Sequence, residues 1–340
     1  MFLIDYGLFL VETLTLVCAF VAAIVLVVRG LRSGRELRGR EHLEVRHLNQ
    51  HLRDLADTLL SKMLDDDALK RHIKQRRDED KARRKGRRDE PLQSRLFVLD
   101  FEGDLEATQT VALREGITAI LQVAQPQDEV LLRLESAGGL VHSYGLAASE
   151  LRRLRERNLK LTVAVDKVAA SGGYMMACVA DQIIAAPFAV IGSIGVVAQL
   201  PNFHRWLKKN DIDVELHTAG EFKRTLTLFG ENSDAARHKF MEELEDTHAL
   251  FKSFVSDNRP QVAITQVATG EHWYGTRAQA MKLVDQLKTS DDYLLEHARN
   301  HEVYEIRYKV HRGLREHLLG QLTQLATRGA LPKLPGGLPY

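Results

Sequence analysis

Cysteine is scarce, with two in 340 residues, Cys18 inside an apolar run and Cys178 much further on. That count excludes a disulfide framework and a cysteine zinc site. Net charge is equally scarce: 47 Lys and Arg stand against 46 Asp and Glu, so no global attraction to nucleic acid follows. The chain lacks a Walker A pattern, a Rossmann glycine pattern and any repeat of solenoid or propeller period. Fourteen histidines are present, but none has the spacing of a metal site. His47 and His51 stand four apart without the glutamate of an H-E-x-x-H pair. Neither metal nor cofactor is expected. In "IGSIGV" Gly192 directly precedes Ser193, which misses the G-x-S-x-G spacing of a nucleophile elbow.

What is present begins with one long apolar run. Leu8 to Val28 carries a single charge, Glu12, and exceeds the roughly 20 residues a helix needs to cross a bilayer. Asp5 precedes it and Val27-Val28-Arg29 closes it, unlike the positive start and small-residue exit of a cleaved signal peptide. An uncleaved transmembrane helix over 8–28 is expected, behind a short segment 1–7. Arg29, Arg32, Arg35, Arg38 and Arg40 follow; by the positive-inside rule they place the main domain in the cytoplasm. Residues 29–90 read as a charged helical connector, with Leu43, Leu48, Leu52, Leu55 and Leu59 near one face. Its basic cluster from Lys81 to Arg88 has no interleaved aromatics, which favours a solvated linker over a nucleic-acid site.

From 91 to 312 the pattern becomes α/β. Apolar runs "RLFVLDF", "EVLLRLES", "LKLTVAVD", "QIIAA" and "AVIGSIGVVA" alternate with helical stretches, as in crossover units on a mostly parallel sheet. "VELHTAG" follows a short helix near Trp206. Ser233 should cap a long helix reaching Asn258, and "TRAQAMKLVDQL" and "YLLEHARN" read as helices before a strand "VYEIRYK". Residues 313–340 hold a leucine-striped amphipathic helix and a Pro/Gly-rich tail.

Chemistry concentrates in "AASGGY". The types suit a strand leaving the sheet and a helix starting at Ser171, the place where open α/β sheets bind ligands. Gly172 and Gly173 remove side-chain bulk, and the first N–H groups of the helix face a developing oxyanion. A serine N-cap explains Ser171 equally well. A second glycine pair, Gly138 and Gly139, follows another strand and could supply a further oxyanion donor. A serine nucleophile needs a base. Lys223, among Phe222, Leu226, Leu228 and Phe229, lies in surroundings that could desolvate an ammonium and lower its pKa from about 10.4.

Four ordered motifs, "ESAGGLV", "AASGGYMMA", "IGSIGVV" and "AGEFKRTLTLFGENS", together resemble the signal peptide peptidase A family of membrane serine proteases, and its SohB branch in particular. The resemblance implies a Clp protease/crotonase-like α/β fold of βα units, with Ser171 as nucleophile and Lys223 as general base. Gly138, Gly139 and Gly172 would hold the oxyanion. It also implies peptide or unfolded-polypeptide substrates, signal-peptide remnants among them, contact with membrane lipid, a single-pass inner-membrane location and a homo-oligomer whose subunits share sites. Ala137 departs from the family's S-P-G-G turn but leaves both glycines. Family members are usually placed outside the membrane, against the arginine flank, so the side stays open. A crotonase-like acyl-CoA enzyme and a catalytically silent membrane scaffold are the alternatives.

Overall fold

The computed structural model describes residues 42–86, 94–220 and 222–309. The apolar run 8–28, the arginine flank and the leucine-striped tail lie outside these residues. Among the described residues no helix is long and apolar enough to cross a membrane. One compact unit spans Glu44–Arg307.

Its frame is a sheet of ten strands among the described residues: β1 (His42–His47), β2 (Arg95–Gly103), β3 (Glu129–Ser136), β4 (Lys160–Val165), β5 (Val168–Ala170), β6 (Gln182–Ala185), β7 (Val190–Gly192), β8 (His272–Tyr274), β9 (Gln286–Leu287) and β10 (Glu302–Lys309). The main path runs β1-β10-β2-β3-β4-β6-β9, and β5 leaves β3 to pair with β7, which pairs with β8. Pairing is parallel from β10 through β9 and in the β3-β5-β7 branch, and β8 runs antiparallel to β7. Parallel strands need crossovers, which the helices supply: α1 (Leu48–Met63), α2 (Asp66–Gly86), α3 (Thr110–Val123), α4 (Val141–Glu156), α5 (Gly172–Ala177), α6 (His204–Lys209), α7 (Asp234–Asn258), α8 (Ile264–Val267), α9 (Gly275–Ala280) and α10 (Ser290–His297).

Strand β2 shows why the central runs are so apolar. Phe97, Leu99 and Phe101 enter the main core, while Leu96 and Val98 enter a second core on the opposite face, so both sides of the strand are buried. Helix α3 buries Leu113, Ile117 and Ile120 at helical spacing and ends at Ala124, just before Gln125-Pro126, where the proline disfavours helical backbone in its predecessor. Helix α4 buries Tyr144, Ala147, Ala148, Leu151 and Leu154. Its exit is a left-handed Asn158 (φ 59°), with Leu159 N–H returning to Leu154 O at 3.1 Å, a termination that asparagine tolerates well.

The structure departs from the sequence pattern in four places. The described part of the connector, from His42, starts with a strand, β1, and its helical part breaks at Leu64-Asp65 into α1 and α2. Asn49 fastens α1 to the main body: its amide donates to Ala298 O (3.0 Å) and His301 O (2.9 Å) and accepts from Val303 N (2.7 Å). Leu55 and Leu59 stay exposed. The run 189–198 holds strand only over Val190–Gly192, because Gly192 (φ 106°) and Ser193 (φ 52°) turn the backbone away. "VELHTAG" forms no strand. "TRAQAMKLVDQL" is helical only through Ala280, and left-handed Lys282 (φ 63°) redirects it into β9.

Candidate active site

The two glycine turns meet because their strands pair. Ser136, at the end of β3, is in register with Ala169 of β5, and Ala170 with Gly192 of β7. Ser171 therefore leaves the sheet between the Gly138 turn and the Gly192 turn. Its N–H is already committed, donating to Gly192 O at 2.8 Å.

Ser171 has φ 51° and ψ −119°, a backbone region costly for any side-chain-bearing residue and often retained where function requires it. It stands where a cap would stand, directly before α5, yet its side chain makes no cap hydrogen bond. Ser233 behaves differently: its hydroxyl accepts from Ala236 N at 3.2 Å and caps α7, as expected. Ser171 is thus not a side-chain cap of α5, and among the described residues its half-buried side chain has no hydrogen-bond partner. Gly172, the first residue of α5, is buried, and its N–H has no acceptor within the helix.

Gly138 lies against this junction at φ 95°. A Cβ there would stand 2.7 Å from Ser171 Cβ and 2.8 Å from both Ala170 O and Gly172 N. Its own N–H donates to Ser136 Oγ at 3.0 Å. Gly138 thus permits the close approach while its amide already has an acceptor, Ser136 Oγ. Among the described residues the Gly139 N–H has no acceptor. Beneath the turn, Ser136 Oγ and Tyr144 Oη lie 2.6 Å apart, and Tyr144 donates to Asp104 O at 2.8 Å. Ser136 stands in the "ESAGGLV" motif and Tyr144 outside the motifs, but their contact with each other arises only across the fold.

Lys223 is placed differently from expectation. It is exposed, as are Phe222 (52%) and Phe229, so the chain by itself does not desolvate it. Among the described residues its ammonium has no hydrogen-bond or ion-pair partner. The 195–233 segment holds itself together through Asn202 Nδ2 to Thr227 O (2.9 Å), Phe203 N to Leu228 O (2.7 Å) and Phe203 against Phe229. It leaves Val197 (91% exposed) and Trp206 (63%) in solvent. A cavity of about 310 Å³ has a mixed lining that includes Leu216, Phe222 and Leu226 together with Arg224, Thr225 and Glu231. No group of histidines, cysteines or carboxylates able to hold a metal occurs among the described residues. His47 instead pairs with Glu302 at 2.6 Å, and Cys178 is buried, its thiol pushed up to about 12 by burial.

A serine-bearing strand-to-helix turn beside a second glycine turn is a place where an acyl-transfer site could be built. Comparison with known proteins gives the family. Residues 1–151 match the model of "Peptidase family S49 N-terminal" and residues 153–304 that of "Peptidase family S49". The chain belongs to peptidase family S49, in its SohB branch, and is a peptidase. It is 49% identical to a probable protease SohB of Haemophilus influenzae, over 92% of this chain and 90% of that one. A probable protease SohB of Buchnera aphidicola is 57% identical over 67% of this chain and 68% of its own. Among solved structures, a membrane-bound stomatin-specific protease in complex with a substrate peptide aligns over 69% of this chain and all of its own, at 12% identity and a TM-score of 0.43.

Proposed function

We propose that the protein is a membrane-anchored serine endopeptidase of Clp protease/crotonase-like fold that works through a Ser171/Lys223 dyad. The observation carrying this reading is the uncommitted Ser171 hydroxyl at positive φ, placed between two glycine turns. Lys223 takes the Ser171 proton as Oγ attacks a peptide carbonyl, backbone N–H groups hold the oxyanion, and water then hydrolyses the acyl-enzyme. The exposure of Lys223 and its apolar neighbours supports a base completed by a neighbouring copy of the chain, where packing would remove water from the ammonium. Signal-peptide remnants or other membrane-associated polypeptides are its substrates in this reading. The anchor is the 8–28 run, in the inner membrane, with the peptidase domain over 91–312 behind the 29–90 connector.

Hydrolysis of an unfolded polypeptide by detergent-purified protein tests this. Ser171→Ala and Lys223→Ala should each be inactive, and mixing the two should restore part of the activity. Wild-type cleavage by both variants would refute the dyad; two dead variants with no recovery on mixing would refute only the shared site.

A further inference from the structure

Tyr144 and Ser136 are fully or almost fully buried, 0% and 2% exposed, and sit directly under the glycine turns without facing solvent. Their hydrogen bonds can be directed without ambiguity. Asp104 O is a carbonyl and only accepts, so the single phenolic proton of Tyr144 goes there, at 2.8 Å. The 2.6 Å contact between Tyr144 and Ser136 must then use the serine proton. Ser136 Oγ is left with lone pairs alone and accepts the Gly138 N–H at 3.0 Å. One relay results, from Gly138 N–H through Ser136 and Tyr144 to Asp104 O. Burial raises the Tyr144 pKa, a shift partly offset by the bond to Ser136, and this keeps the phenol a proton donor.

The same tyrosine also supports the other half of the site. A Cβ on Gly172 would lie 2.4 Å from Tyr144 Cγ, and one on Gly103 would lie 2.3 Å from both Ser136 Oγ and Tyr144 Oη. The ring thus packs against the residue after Ser171, while its hydroxyl acts through Ser136 on the turn before α4. Leu140 N–H, donating to Leu105 O at 2.9 Å, pins the far side of that turn.

We propose that Ser136 and Tyr144 are positioning residues of the peptidase site: they bind the Gly138 amide and set the turn so that the Gly139 and Gly172 N–H groups serve as the oxyanion donors. The proposal rests on Ser171 being the nucleophile. It is tested on the full chain with Ser136→Ala, Tyr144→Phe and the double variant, by peptide kinetics, inhibition by a peptide aldehyde, fluorophosphonate labelling of Ser171 and thermal unfolding. Each single variant should lose about 10- to 100-fold in kcat, as misplacement of catalytic groups does, with KM nearly unchanged. Aldehyde affinity, which depends on a hemiacetal oxygen in the oxyanion position, should fall with kcat/KM. The double variant should fall no further than the worse single, because one relay is broken once. Wild-type kcat in both singles, or losses confined to KM or matched by an unchanged aldehyde affinity, would overturn the positioning role while leaving the peptidase reading intact. If the wild type neither cleaves nor labels at Ser171, both fail together. Should one variant unfold, the other breaks the same relay and decides the matter.

Discussion

Gly138→Ala attacks the site where its two glycine turns touch. The added methyl would lie 2.7 Å from Ser171 Cβ and 2.8 Å from Ala170 O and Gly172 N, whereas carbon atoms settle at about 3.5–4.0 Å. Two of these neighbours are backbone atoms and the third is the Cβ of the proposed nucleophile, so no flexible side chain can yield. Relief requires a shift of roughly 1 Å in the turn or in Ser171, and such misplacement costs about 100-fold. The methyl also crowds the Gly172 N–H, the proposed oxyanion donor, and loss of one such donor costs about 10²–10³ in kcat. Alanine at φ 95° adds about 1–3 kcal/mol of backbone strain. Hydrolysis of an unfolded polypeptide and fluorophosphonate labelling of Ser171 should both fall at least about 100-fold, or about 2.7 kcal/mol in transition-state stabilisation. Gly145→Ala is the control: a Cβ there meets nothing within 4 Å, and replacing a helix-interior glycine gains about 0.5–1 kcal/mol. Activity of Gly138→Ala within about threefold of the wild type, in a protein that melts normally, would refute the geometry.

Stability offers two further tests. The Arg259 side chain is 2% exposed and bonds both Asp285 oxygens, at 2.7 and 2.8 Å, while Asp285 also accepts from Ile183 N. Asp285→Ala leaves a buried guanidinium without its carboxylate and should cost about 3–5 kcal/mol in denaturant unfolding; a loss below about 1 kcal/mol would contradict that account. His297 is held below its usual range by burial, against the opposing effects of its bond to Tyr293 O and of Glu129. Its neutral form is favoured in the fold, so the stability it contributes is present above about pH 6.5 and is lost as pH falls below that value. Between pH 7 and 5 the melting temperature should drop less steeply in His297→Gln than in the wild type, and equal slopes would exclude the histidine as a cause.

Much of the sheet was legible because local rules decide it. Apolar runs of strand length alternating with helical stripes marked β2, β3, β4 and β6 together with α3 and α4, and Ser233 capped α7 where its pattern placed it. The strand "AVIGSIGVVA" was overread, since alternation of apolar residues carries no sign that Gly192 and Ser193 take positive φ. The connector's β1 was missed for a related reason: a charged segment such as "HLEVRH" becomes a strand only when a sheet edge is there to pair with it.

Motif order and hydrophobic period are local properties of the chain, and they carry the family, the α/β class and the candidate site residues. Folding answers a different kind of question: Ser171, held at φ 51° and ψ −119° after β5 where that strand pairs with β7, makes no cap hydrogen bond among the described residues. Folding also decided which glycine amide is spent, through a serine and a tyrosine that only the packing of α4 under the β3 turn brings together. A hydrogen bond claims its donor wherever the fold places an acceptor, and no spacing along the chain records that.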